Sequence, residues 1–121
     1  MSKRLKDIAG WLHSLTPEKK ERLTARLARN ILVHGDADDC ITWTASLNNC
    51  GYGQFTTGTR TEHWMMYIHV LFWVLKNGQN VPEGMEIAHS CDVRNCVNWR
   101  HLEAQSHREN ATKANRKRRS R

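Results

Sequence analysis

Between Glu86 and Lys113 the chain reads EIAHSCDVRNCVNWRHLEAQSHRENATK, and His89, Cys91, Cys96, His101 and Asn110 fall there as H-x-C-x4-C-x4-H-x8-N. Two thiols and an imidazole this close together supply three of the four ligands of a closed tetrahedral zinc site, because thiolate and neutral imidazole are the donors Zn²⁺ favours. The fourth ligand must come from elsewhere, and Cys40 and Cys50 are the two candidates. Cys40 opens a predicted strand and Cys50 sits inside a predicted turn. Rigid elements fix ligands better, which favours Cys40 and leaves Cys50 open. A metal held this way is structural: it closes the long loop between Cys40 and Cys91 in a chain whose core is small.

His89 and Asn110 are then surplus to that metal. An imidazole that is neutral near pH 7 is suited to taking a proton from water. An asparagine amide oxygen is a hard ligand of the kind Mg²⁺ accepts beside water and phosphate oxygens. Singly, a strand histidine is ordinarily a packing residue and an early helix asparagine a surface one. Their joint spacing beside a metal loop points to metal-assisted phosphodiester hydrolysis.

The elements that must position these residues can be read in order. Leu5, Ile8, Ala9, Leu12 and Leu15 recur at helical spacing, predicting an amphipathic helix over 3–15. Thr16-Pro17-Glu18 starts a second helix, whose apolar stripe Leu23, Leu27, Ile31 and Leu32 runs to Gly35. Its Lys- and Arg-rich outer face reads as a solvated one. Cys40 to Thr44 alternates like a strand. Asn48 to Gly53 reads as a hairpin turn, with Gln54 to Thr57 returning. Thr61 caps a predicted helix from Glu62 to Leu75, closed by Asn77-Gly78. Met85 to His89 and Arg100 to Ala104 are predicted partner strands around the cysteine loop. Ser106-His107-Arg108-Glu109 fits a capping box that puts Asn110 one turn into a last helix.

The 121 residues amount to one domain with a modest core. The formal charge is +7, and from Ala111 onward Lys113, Arg116, Lys117, Arg118, Arg119 and Arg121 are accompanied by no acid. A basic tail on a near-neutral body points to a polyanion, most often nucleic acid. The amino terminus carries Lys3, Arg4 and Lys6, with no apolar run of signal-peptide type. No stretch reaches a membrane-spanning length. The expectation is a soluble, intracellular (cytoplasmic) protein, where free cysteines are metal ligands more often than disulfides.

The segment resembles the HNH, or His-Me finger (ββα-metal), endonucleases, especially zinc-containing His-Cys-box homing enzymes and the small HNH proteins of phage genomes. Upstream, Cys40-Ile41-Thr42-Trp43, Gly51-Tyr52-Gly53, His69 and Pro82-Glu83-Gly84 appear in the matching order, so the likeness spans about residues 38–113. The fold it implies is α+β: a ββα-metal finger with a zinc-stapled core, preceded by a small antiparallel sheet and N-terminal helices. The segments are a helical stretch over 1–35, the finger domain over 36–113 and a basic tail over 114–121. The resemblance implies His89 as general base, Asn110 as ligand of a catalytic Mg²⁺ (Mn²⁺ as substitute), and structural zinc on Cys40, Cys91, Cys96 and His101. It makes Asn98 a residue that orders the loop or orients His89, and it places Arg60 near the scissile phosphate. Double-stranded DNA is the implied substrate. Arg60, Lys113, Arg116, Lys117, Arg118 and Arg119 are the expected DNA contacts, and a homodimer is one way to cut both strands. The sequence departs from common relatives in having Asn98-Trp99 instead of Asn-Pro, and Val70 instead of Arg after the helix histidine. The competing readings are a zinc-stapled DNA-binding module without catalysis and an interaction domain with a solubilising tail. Neither needs His89 and Asn110 together.

Overall fold

The computed structural model describes residues 3–58, 61 and 63–106. The chain begins with a two-residue strand, β1 (Lys3–Arg4), followed by helices α1 (Ile8–Ser14) and α2 (Pro17–Arg29). The first helix is shorter than the apolar periodicity predicts, because Asp7 starts it. Its carboxylate accepts the Gly10 N–H at 2.9 Å and is itself bonded by the Asn80 amide at 2.7 Å. Those bonds hold the Asp7 carboxyl below the usual carboxylate range. Helix α2 starts as expected, with Thr16 accepting from Lys19 N–H and Pro17 in the first turn.

Helix α2 stops at Asn30, whose side chain bonds the Arg26 carbonyl at 2.7 Å. Ile31 and Leu32, expected on its apolar stripe, instead open strand β2 (Ile31–Val33), which pairs antiparallel with β3 (Ile41–Trp43). An Ile-Leu-Val run suits a strand as well as a helix end, and here a partner strand is present to take it. The predicted turn at Asn48–Gly53 forms, with Leu47 bridging Gly53 antiparallel and Gln54 N–H bonded to Ser46 O at 2.9 Å, but the strands on either side of it take other partners. Strand β3 lies between β2 and the cysteine loop, through Trp43 N–H to Asn95 O at 2.8 Å and Val97 N–H to Ile41 O at 2.7 Å. Strand β4 (Gln54–Gly58) pairs with β5 (His63–Tyr67), and β1 joins β5 in parallel, giving the order β1-β5-β4. Residues 63–67, expected to be helical, are therefore strand. Trp64 to Leu75 is a nearly continuous apolar run, in which periodicity cannot separate a buried strand from a buried helix.

Helix α3 (Ile68–Asn77) is the centre of the core, with Ile68, Leu71 and Val74 essentially inaccessible to solvent. It ends at Gly78, which adopts a left-handed conformation and returns its N–H to Val74 O at 2.8 Å. Trp43, Phe55, Met66, Ile87, Val97 and Leu102 pack into the same cluster. Gly53 is where the 44–53 connection meets it: a Cβ there would lie 2.7 Å from Trp43 Cδ1. Strand β6 (Met85–His89) has the predicted bounds and pairs antiparallel with β7 (Leu102–Ser106), with His89 opposite Leu102. The partner strand starts two residues later than predicted, because Trp99–His101 forms a 3-10 turn. Ser106, expected to cap a helix, closes β7, and the predicted last helix falls outside the described residues. The architecture is a small α+β fold.

Candidate metal centre and the histidine beside it

Cys40 stands at the entry to β3, Cys91 and Cys96 bracket the loop after β6, and His101 ends the 3-10 turn. Their ligand atoms all lie within 4.8 Å of one another. His101 Nδ1 is 3.4 Å from Cys96 Sγ and 3.7 Å from Cys40 Sγ. A tetrahedron built on ordinary Zn–S and Zn–N bonds has edges of roughly 3.5–3.8 Å, so the four donors fit zinc in kind and in spacing. Burial and the neighbouring Cys96 and Cys91 thiols push the Cys40 thiol up to about 12. Burial also opposes ionisation of Cys96, but hydrogen bonds from the Asn98 backbone, Cys40, His101 and the Ile41 backbone outweigh it and leave that thiol below its ordinary value. Without a cation, the cluster supports one thiolate at the expense of the next. A divalent metal removes that conflict. The Cys3His group could therefore bind zinc. Cys50 is exposed in the 48–53 turn and is not part of this group.

Asn98 explains how Cys40 reaches a loop more than fifty residues away in sequence. Its side chain is buried, and its amide donates to Ala37 O at 2.9 Å and to Asp39 O at 2.7 Å. Its carbonyl oxygen accepts from Arg100 N–H at 3.0 Å. One amide thus ties the loop leading into Cys40 to the turn carrying His101. Arg100 and Asp38 bridge the same two segments at 2.8 Å, but both are well exposed and the pair is worth little. The sequence left two roles open for Asn98; the structure puts its contacts on the Cys40 loop.

His89 ends β6, buried, with Nε2 3.0 Å from Cys96 O. A carbonyl can only accept, so Nε2 carries the proton and Nδ1 is the lone-pair nitrogen of the neutral ring. Burial holds its pKa below the ordinary histidine value, against the Cys96 hydrogen bond and with help from positive charge at His101. The ring packs on His69 (centroids 4.8 Å) and Tyr52 (6.2 Å), and Tyr67 joins at 5.8 Å from His69. In the sequence His69 has a place in a motif and no assigned role. The structure packs it against His89 with the rings tilted by 43°, buried, its Nδ1 without a hydrogen-bond partner among the described residues. Burial, positive charge at His89 and the Arg4 guanidinium lower its pKa to about 3, against a backbone hydrogen bond with Ile87. The one signal in the sequence was a polar residue interrupting an apolar run.

Asn110, Arg60, Lys113, Arg116, Lys117, Arg118 and Arg119 lie outside the described residues. No helix among the described residues is long and apolar enough to cross a membrane.

A β-hairpin whose connecting loop and flanking turn supply three donors of a Cys3His cluster, with Cys40 reaching in from the entry to β3 and a buried histidine closing the first hairpin strand, is the framework of a metal finger. Residues 66–112 match the family model described as HNH endonuclease. The match contains α3, β6, β7, three of the four metal donors and His89. No curated protein and no solved structure matched.

Proposed function

We propose that the protein is a metal-dependent DNA endonuclease in which His89 is the general base. The observation that carries this reading is the state of His89: within the HNH-matching segment, its Nε2 is committed to Cys96 O, and burial keeps the ring neutral with Nδ1 as the basic atom. Nδ1 takes the proton of the attacking water, a step worth roughly 10²–10⁴-fold in rate. Asn110 is the proposed ligand for Mg²⁺, which when bound supplies charge stabilisation at the scissile phosphate. Zinc on Cys40, Cys91, Cys96 and His101 is structural: it fixes the loop whose Cys96 carbonyl orients the base.

HNH nucleases act on DNA, and two features of this chain suit it. The face of the β1-β5-β4 sheet away from Phe55 and Met66 carries Arg4, Gln54, Thr56, His63, Met65 and Tyr67, and it leads to His89 through Tyr67 and His69. The basic tail adds phosphate contacts without sequence information. One such site cuts one strand, and a break in both needs two copies or two visits.

The test is cleavage of a labelled duplex across a Mg²⁺ titration. Asn110→Ala should raise the Mg²⁺ concentration needed for half-maximal rate. His89→Ala should lower the rate at saturating Mg²⁺ without moving that midpoint. An Asn110→Ala midpoint identical to wild type refutes the assignment of Asn110.

A further inference from the structure

We propose that Arg4 and Arg94 bind phosphates of the DNA backbone beside the aromatic cluster that contains His89, an assignment that rests on the nuclease reading above. The two arginines come from unrelated parts of the chain. Arg4 belongs to β1, which pairs in parallel with β5, with Arg4 opposite Met65 and Leu5 N–H bonded to Met65 O at 2.8 Å. Arg94 lies in the loop between Cys91 and Cys96. Both are exposed, and neither has an ion-pair partner among the described residues.

Each rests on a tyrosine of the aromatic cluster around His89, and those two tyrosines pack edge to face at 6.1 Å. Arg4 Cζ lies 5.3 Å from the centroid of Tyr67, which is packed on His69. Arg94 Cζ lies 5.4 Å from the centroid of Tyr52, which is packed on both His89 and His69. Arg94 also donates one N–H to Cys50 O at 2.6 Å, which fixes its plane against the 48–53 turn. A guanidinium resting on an aromatic face keeps its other N–H groups directed outward, in the fork that matches a phosphate. The Arg4 guanidinium opposes protonation of His69, and the two cations together answer the anionic charge that a phosphodiester brings to the site. The residue that would otherwise do this by resemblance, Arg60, comes from a different connection, so the three are separable by mutation.

The experiment is anisotropy of a fluorescein-labelled DNA duplex across a salt series, with Ca²⁺ replacing Mg²⁺ so that the duplex stays uncut. The proteins are wild type, Arg4→Ala, Arg94→Ala, the double variant, Arg4→Lys, and Lys20→Ala on the outer face of α2 as a control. Far-UV CD and zinc content establish that each is folded. Each arginine lost should flatten the slope of log K against log salt by about 0.9, and the double variant by about 1.8. Affinity at low salt should fall about tenfold per arginine. Arg4→Lys should keep the slope and lose part of the affinity, which a purely structural role for Arg4 does not predict. Lys20→Ala should change neither. Wild-type binding with unchanged slopes in Arg4→Ala and Arg94→Ala overturns this assignment alone. Wild-type protein that binds no duplex at low salt overturns it together with the nuclease reading.

Discussion

Asn98→Ala should damage the metal centre although Asn98 is not one of its four donors. The side chain is 2% exposed and makes three hydrogen bonds, two as donor to Ala37 O and Asp39 O and one as acceptor from Arg100 N–H. At roughly 1 kcal/mol net for each bond, removing all three costs about 3 kcal/mol. For a chain of this size that lowers the melting temperature by on the order of 10 °C. Because the lost bonds hold the loop leading into Cys40, zinc affinity should drop about 10–100-fold, as is usual when a ligand's supporting contact is removed. Asn98→Asp separates the contributions. It keeps the acceptor for Arg100 N–H but sets a carboxylate against two carbonyl oxygens, so it should be at least as damaging. The assays are thermal melting of the zinc-loaded proteins and competition for zinc with a chromogenic chelator. An Asn98→Ala protein that melts within about 2 °C of wild type, and yields zinc no faster, refutes the reasoning.

Cys91→Ser should lose zinc and most of its folded CD signal, whereas Cys50→Ser should keep both, since Cys50 lies outside the cluster; equal zinc content in the two would contradict the ligand assignment. The His69 pKa is lowered to about 3 in the folded chain, so the unfolded chain binds more protons between that value and about 6.5, and stability is lost as pH falls through this window. Between pH 7.5 and 5.5, wild type should lose about 1 kcal/mol more stability in urea unfolding than His69→Phe, and parallel losses would refute the burial argument. Removing the tail after Ala111 should flatten the salt dependence of DNA binding, and an unchanged slope would deny the tail its role.

The Cys3His cluster was legible because its chemistry is local. Three donors fall within one loop and turn, and thiolate spacing carries the message whatever the surrounding fold. Cys40 was distinguishable from Cys50 by an argument about rigidity and by the family resemblance, and its position depends on Asn98, a contact spanning some sixty residues that no local pattern encodes. Strand β6 was read with its correct bounds, whereas the 63–67 strand was read as helix. There the apolar run hides its period, and the deciding factor is pairing with β4. The same cause moved Ile31–Val33 from helix to strand: the partner β3 is provided by tertiary structure. His69 shows the limit most plainly. Its type and position were visible, but its contact with His89 required two elements to be packed together.

Relaxation of supercoiled plasmid by wild type and His89→Ala, with Mg²⁺ and with EDTA, tests the central claim most directly. The account predicts nicking or linearisation by wild type in Mg²⁺, none in EDTA, and a loss of roughly 10²-fold or more in His89→Ala. Two proteins that bind the plasmid yet leave it supercoiled in Mg²⁺ and Mn²⁺ would contradict it, and would make the finger a DNA-binding module.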